Sequence, residues 1–396
     1  MRSAGLTTIQ QPSAEIAGRE TLPRVSRFDP RSTLAVLLES ADVAINGMRP
    51  WDIVVRDPRM FARVLAHGSL GAGESYMEGW WDCERLDEMF CRVLSAGIDL
   101  RLSTLHEKLA VLAAKFRNAQ SPQRAFQVGE QHYDIGDDLY TRMLDRRMIY
   151  SCAYWRDAAN LDNAQEHKLD LVARKLQLER GMRVLDIGCG WGGAAQYIAK
   201  RHGVAVTGIT VSRNQAMLAR ERCRGLPVEI TLQDYRALSG HFDRIYSLGM
   251  FEHVGVRNYR AYLSKVRELL VPDGLFLLHT IGTNQSSTTT DPWIETHVFR
   301  NSMLPSMAQI AAAAERQWVV EDWHSFGPHY DQTLMAWSAN FEASWPTISS
   351  HYSEHFRRMW RYYLASCAGS FRARKNQLWQ VLMSKEGVRG GCREVR

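Results

Sequence analysis

Apolar positions set the order of elements along this chain. Residues 1 to about 30 are polar, carry prolines and show no periodicity, which predicts a flexible arm. From Thr33 onward, Leu34, Leu37, Leu38 and Ala41 fall at helical spacing, and the pattern stops at Asn46-Gly47. Ile53, Val54 and Val55 then read as a short strand. The Gly-punctuated stretch Gly68 to Trp81 continues a small mixed α/β domain, expected over residues 31–100. A Lys/Arg-bearing, helix-like linker follows at 101–125. Beyond it, strand-like runs at Arg183 to Ile187, Val204 to Ile209, Val228 to Leu232, Arg244 to Ser247 and Leu275 to Leu278 are separated by helical patterns. Such alternation predicts a doubly wound, Rossmann-like parallel sheet in a larger domain spanning 126–396.

Composition narrows the class. The chain has 396 residues, more than the ~250–300 at which a single core stops growing, so two domains are expected. Hydrophobic residues are 45% and charged residues 23%, which excludes disorder and collagen-like architecture. Apolar runs such as Leu109 to Ala114 or Leu275 to Leu278 fall far short of the roughly 20 residues that cross a bilayer. With no apolar leader at the start, residence in the cytoplasm is the expectation. Seven cysteines, an odd number with no Cys-x-x-Cys pair, predict free thiols and no metal site. A net charge of +6 suits an acidic partner, nucleic acid or an anionic membrane face, without choosing between them.

The chemistry begins at VLDIGCGWGG (184–193): a β-branched strand, a carboxylate, then glycines opening a helix. Gly188, Gly190 and Gly193 have the spacing of a dinucleotide loop, in which amides at a helix N-terminus hold a pyrophosphate. Asp186 argues for another ligand, because a carboxylate beside the loop repels pyrophosphate but suits the ammonium and sulfonium of S-adenosylmethionine. The reading is therefore a class I methyltransferase domain, with Asp186, Gly188, Gly190 and Gly192 in its cofactor loop. The next strand ends in Thr210, and Thr210 and Gln215 stand where most such sites place Asp or Glu to hold the ribose. Asp234 and Tyr235 follow the third strand and offer a polar edge and a ring to bracket adenine.

With these segments in view, the sequence resembles the cyclopropane-fatty-acyl-phospholipid synthases, relatives of the mycolic acid cyclopropane synthases. Eight stretches carry the resemblance in order: GSLGAGESYMEGWW (68–81), HYDIGDDLY (132–140), YSCAYW (150–155), VLDIGCGWGG, MFEHVG (250–255), LLHTIG (277–282), HYDQTLMAW (329–337) and CAGSFRARKNQLWQV (367–381). The resemblance implies methylene transfer from S-adenosylmethionine to the cis double bond of unsaturated phospholipid acyl chains, forming a cyclopropane ring. It further implies a bicarbonate ion held by Cys152, Glu252, His279, the backbone of Ile281, and Tyr330. Tyr150 and Ser151 would touch the methionine end of the cofactor. Peripheral contact with the inner membrane surface and a homodimer are expected, with residues 31–100 as the lipid-contact or dimerisation domain.

An alkene attacking a sulfonium methyl generates a carbocation, and closing the ring removes a proton from the newly delivered methyl group. A small base inside a dry, apolar site answers that need, since water would trap the cation as an alcohol. Glu252 acting directly could itself be alkylated, so a role as bicarbonate acceptor or proton relay is the preferred reading. Cys367 stays a candidate without a covalent role: methylene transfer needs no enzyme-bound intermediate, and no neighbour in sequence lowers its pKa. Aromatics crowd the last third, as core or as the wall of an acyl tunnel. Within it, His355 to Leu364 mixes Arg357, Arg358 and Arg361 with Phe356, Trp360 and Tyr363, a pattern that suits an anionic membrane surface or a solvated helix. Thr283 to Asp291, rich in Ser and Thr, is expected to be a mobile flap.

Within enzymes the alternative is an acyl-chain methyltransferase that stops at a methyl branch or an alcohol, or a cyclopropanase acting on carrier-bound acyl groups. The N-terminal domain favours phospholipid, because carrier-type relatives largely lack it. A lipid-binding protein without catalysis is disfavoured by the intact Cys152, Glu252, His279 and Tyr330. A nucleic-acid methyltransferase would want a basic stripe with stacking aromatics, and with none evident no nucleic-acid partner is expected.

Overall fold

The first helix starts where a carboxylate can cap it. In α1 (Pro30–Glu39) the Asp29 side chain accepts from the amides of Arg31 and Ser32 at 3.2 and 3.1 Å, and proline fills the first turn. Leu34 and Leu38 bury its inner face, as their spacing predicts. The computed structural model describes residues 29–102 and 136–396. The expected arm, nearly all of the expected linker, Leu109 to Ala114 and the first four residues of HYDIGDDLY lie outside the described residues.

β1 (Val54–Val55) pairs with β2 (Trp81–Asp82), and α2 (Arg59–Met77) runs between them with a kink at Gly68, whose φ of 57° only glycine adopts without strain. A Cβ at Gly73 would sit 2.2 Å from the Trp293 ring, so the missing side chain admits that indole. α3 (Leu86–Ser95) and α4 (Ile98–Arg101) complete this segment.

α5 (Asp137–Met143) and α6 (Leu161–Lys175) lead into a seven-stranded sheet. Its strands are β3 (Arg183–Ile187), β4 (Ala205–Thr210), β5 (Val228–Leu232), β6 (Phe242–Leu248), β7 (Leu270–Thr283), β8 (Val319–Ser325) and β9 (Asn376–Ser384), in the order β5-β4-β3-β6-β7-β9-β8. The first five run parallel, whereas β9 is antiparallel to both β7 and β8. The helices are α7 (Gly193–His202), α8 (Arg213–Arg222), α9 (Tyr259–Leu269), α10 (Pro292–His297), α11 (Met307–Ala314), α12 (Pro328–Ile348) and α13 (Glu354–Arg372). Both faces of the sheet are covered. Leu185 and Ile187 of β3 pack with Tyr262, Leu263 and Val266 of α9, while Val184 packs with Leu169 and Val172 of α6 and Ile198 of α7. A doubly wound α/β sheet is therefore present, with one departure from the expected all-parallel form. β8 and β9 escape pattern reading because β9 is buried along almost its whole length and shows no alternation, while β8 is a half-exposed edge.

The N-terminal elements share a continuous core with α12 and α13. Tyr76 lies 5.5 Å from Tyr362, and a Cβ at Gly369 would meet the Phe90 Cβ at 2.6 Å, so α3 and α13 approach to backbone distance. Arg372 fastens this junction by pairing with Asp87 at 2.7 Å and Asp331 at 3.0 Å. Two expectations change here. The arginines of α13 are committed to the protein, Arg357 and Arg361 to Glu342 at 2.6 and 3.1 Å and Arg358 to Asp82 at 2.8 Å, while Trp360 and Tyr363 are buried. This helix is a packed element and not a lipid-facing stripe. Thr283 to Asp291 is pinned too: Asn284 donates to the Arg374 carbonyl at 2.7 Å, Gln309 to that of Ser287 at 2.9 Å, and Thr290 to that of Ser302 at 2.8 Å. Most of its hydroxyls are spent on hydrogen bonds within the protein instead of on a free flap.

Candidate active site

Parallel strands end on one edge of the sheet, and their turns open a cavity there. The β3 turn needs left-handed backbone at Gly188 (φ 87°), Gly190 (φ 52°) and Gly192 (φ 78°), which explains the glycines. A Cβ at Gly188 would also come within 2.8 Å of the Met250 Cβ. The cavity is lined by Tyr150, Ser151, Asp186, Gly188, Gly190, Thr210, Gln215, Asp234 and Tyr235, nine of the ten positions expected to hold the cofactor. Gly192 is the exception. A side chain there would meet Ala219 and Cys223, so this glycine serves the approach of α7 to α8, and Gly193 lines the cavity instead.

Several polar groups of this cavity are held by protein partners, while the Tyr235 hydroxyl has none among the described residues. Asp186 is buried, accepts from the Tyr246 hydroxyl at 2.9 Å, and is pushed up to about 7 by desolvation. Thr210 Oγ1 donates to Gln215 Oε1 at 2.9 Å, and Ser212 caps α8 by accepting from the Gln215 amide at 3.2 Å. Asp234 accepts from the Arg236 amide and pairs with its guanidinium, both at 2.9 Å. The hydroxyls of Tyr150 and Tyr363 lie 2.8 Å apart.

Beside the cavity lies a second, drier group. Glu252, in the 3-10 turn Phe251–His253 after β6, is buried; its Oε1 accepts from the Ile281 amide at 2.7 Å, and its Oε2 has no partner among the described residues. Desolvation pushes this carboxyl up to about 7. His279 stands opposite Leu248 in the β6–β7 register, with Nδ1 3.4 Å from Gln380 Nε2 on β9 and Nε2 without a partner among the described residues. Burial holds its pKa well below the usual imidazole value. Cys152 is buried, its thiol pushed up by desolvation, and its Sγ lies 4.0 Å from Thr333 Oγ1 on α12, one turn beyond Tyr330. Tyr330 packs 4.7 Å from Phe371 and 5.9 Å from Trp337, whose ring is 5.1 Å from that of Tyr150.

The Ile281 amide thus acts through Glu252, which already takes its hydrogen bond. Cys367 lies on α13, pushed up to about 12 by burial, in no environment that would make it a thiolate at neutral pH.

Sequence reading missed three residues. Lys168 and Gln165 on α6 are fully buried and donate at 2.9 Å to the hydroxyl and the carbonyl of Ser151, respectively. Desolvation lowers the Lys168 ammonium to about 8. Their signal was available: two polar residues at i, i+3 on the face that also carries Leu161, Ala164 and Leu171. His253 lines the cavity with Nδ1 lacking a partner among the described residues, and desolvation lowers it to about 4.

This arrangement can be set against known proteins. A Cyclopropane-fatty-acyl-phospholipid synthase of Escherichia coli K12 is 55% identical over 361 residues, covering 91% of this chain and 94% of that one. The crystal structure of the mycolic acid cyclopropane synthase CmaA1 complexed with SAH and CTAB matches with a TM-score of 0.61 and 33% identity, over 66% of this chain and 98% of that one. The cyclopropane synthase MmaA2 from Mycobacterium tuberculosis gives a TM-score of 0.62 at 29% identity with the same coverage. Residues 120–381 match the family model described as mycolic acid cyclopropane synthetase, so both the glycine loop and the dry group at Glu252 and His279 fall inside it. The chain belongs to the mycolic acid cyclopropane synthetase family.

Proposed function

We propose that the protein transfers a methylene group from S-adenosylmethionine to the cis double bond of unsaturated phospholipid acyl chains, with bicarbonate as the general base. Likeness to the Escherichia coli phospholipid synthase across nearly the whole sequence supports the reaction and the substrate class. One observation carries the base: Glu252 Oε2 and His279 Nε2 are buried beside the cofactor cavity without partners among the described residues. Orphaned buried polar atoms cost ~1–3 kcal/mol each unless a ligand completes them. An oxyanion bearing one O–H offers both an acceptor and a donor, the two kinds of partner these atoms lack. Burial keeps the His279 ring neutral, and with Nδ1 3.4 Å from Gln380 Nε2 its unpartnered Nε2 is the ring atom open to a bound oxygen. Glu252, poised near 7, accepts a proton or gives one back.

When bound, S-adenosylmethionine supplies the electrophilic methyl carbon and bicarbonate a base small enough to sit beside it. The protein does the rest. Asp186 and the glycine turn hold the cofactor's charged end, and Tyr150 and Ser151 sit at its methionine side. Burial keeps the Cys152 thiol neutral, a hydrogen-bond donor and not a nucleophile. The faces of Tyr330 and Trp337 offer a developing cation ~0.5–2 kcal/mol per ring, and the apolar lining keeps water from trapping it. Residues 31–100 as a lipid-contact or dimerisation domain, a homodimer and peripheral contact with the membrane belong to the same proposal.

The test is mass spectrometry of monounsaturated phospholipid vesicles incubated with purified protein, labelled S-adenosylmethionine and bicarbonate. A gain of one CH2 per acyl group, inert to hydrogenation and dependent on bicarbonate, is expected. A methyl-branched or hydroxylated product would replace the ring assignment with the simple methyltransferase reading, and equal rates in carbonate-free buffer would remove bicarbonate.

A further inference from the structure

Along α7 toward its C-terminal turns, a second cavity is walled by Arg146, Arg147, Lys200, Arg201 and Arg222, with Gln196 and Tyr197. Three elements supply these cations: the loop between α5 and α6, the last turns of α7, and the end of α8. Among the described residues no carboxylate lines it. Nearby acids are already engaged. Glu166 is shared by Arg146 and Arg147 at 3.0 and 2.9 Å, Asp170 accepts from the Tyr197 hydroxyl at 2.9 Å, and Asp145 accepts from the amides of Arg147 and Ile149 at 3.0 and 2.8 Å.

Two guanidiniums keep hydrogen-bonding capacity that the protein does not fill. Arg147 has only 13% of its side chain exposed, stacks 4.9 Å over the Tyr197 ring, and keeps Nη1 buried with no acceptor among the described residues. Arg222 is half-buried, reaches only the Arg146 carbonyl at 3.3 Å through Nη1, and burial pulls its guanidinium below the ordinary value. A buried guanidinium N–H without an acceptor is costly, and an anion would serve both groups at once. Guanidinium forks with lysine beside them are a phosphate-recognition set. Lys200 and Arg201 at the mouth are exposed and form no ion pair among the described residues, free to draw such an anion in.

We propose that this basic cavity binds a phosphate group. Its source is either a phospholipid headgroup or a soluble phosphate, and the inference does not depend on the reaction assigned above.

The experiment compares wild-type protein with Arg201→Gln/Arg222→Gln in two arms. The first measures partition onto phosphatidylglycerol-containing vesicles against pure phosphatidylcholine vesicles. The second follows thermal stabilisation by inorganic pyrophosphate. If the site takes lipid phosphate, the double variant loses roughly 30-fold in partition onto anionic vesicles, about five- to sixfold per cation removed, and added salt abolishes the difference. Should pyrophosphate stabilise only the wild type while vesicle partition is equal, the source is soluble. Equal behaviour of both proteins toward both probes overturns the proposal. Unchanged S-adenosylhomocysteine affinity reports an intact fold. If Arg222 proves necessary for folding, Lys200→Gln/Arg201→Gln, confined to exposed side chains, gives the same readouts.

Discussion

The cofactor cavity and the Glu252–His279 group lie side by side on one sheet edge, yet they are built on opposite rules. In the cavity, Asp186, Thr210 and Asp234 each have a protein partner at 2.9 Å, Thr210 and Asp234 finding theirs within five residues. In the drier group the partners come from far along the sequence, Glu252 to Ile281 and His279 to Gln380, and one polar atom of each side chain is left over. A site whose carboxylates and threonine are already partnered positions a ligand by shape and charge. A site left incomplete is finished by its ligand, and that is where proton transfer belongs.

Glu252→Gln should separate the two regions most widely. It keeps the oxygen that accepts from Ile281 but cannot exchange protons, so turnover should fall by on the order of 10²–10⁴ while S-adenosylhomocysteine affinity, read by calorimetry, stays unchanged. Wild-type turnover would break the division. The same variant should be the more stable protein at alkaline pH. The folded state holds the Glu252 proton up to about 7 against an ordinary 4.5. Stability therefore falls as pH rises between those values, and the whole penalty, at most about 3 kcal/mol, is present above them. Melting curves at pH 5 and pH 8 should show the variant's advantage widening at pH 8.

Smaller effects are expected on the self-satisfied side. Asp186→Asn should weaken S-adenosylhomocysteine binding ~10-fold by removing a charge-assisted partner for the cofactor's ammonium; undiminished affinity would place that ammonium elsewhere. Lys168→Met leaves the Ser151 hydroxyl without its donor and should cost about fivefold in the same affinity, roughly one neutral hydrogen bond. Least of all, Cys367→Ala should leave turnover within about a factor of two, since a thiol pushed up to about 12 is no nucleophile at neutral pH. A large loss there would reopen a covalent role.

What the sequence made legible follows the same division. Runs such as Arg183 to Ile187 and Val228 to Leu232 coincide with their strands, and the glycine turn declares itself because its backbone needs positive φ at fixed offsets. Gly192 was misread for a related reason: one-dimensional spacing cannot tell a glycine facing a ligand from one facing a helix. The drier group is legible through resemblance and through the strand-end positions of Glu252 and His279, while the contacts that hold them, Ile281 and Gln380, lie far along the sequence. Lys168 went unseen because its importance lies in a contact 17 residues away. The α13 arginines looked free in the sequence only because Glu342 and Asp82 are distant along it.

Strand order has a temporal consequence. β9 lies between β7 and β8 although it is made after both. As the nascent polypeptide leaves the ribosome, β8 has nothing to pair with and β7 offers a bare edge open to wrong partners until residues 376–384 arrive. The same late strand brings Gln380 to His279. The cofactor turn can be in place early, while the group that handles the proton is finished only when the sheet closes.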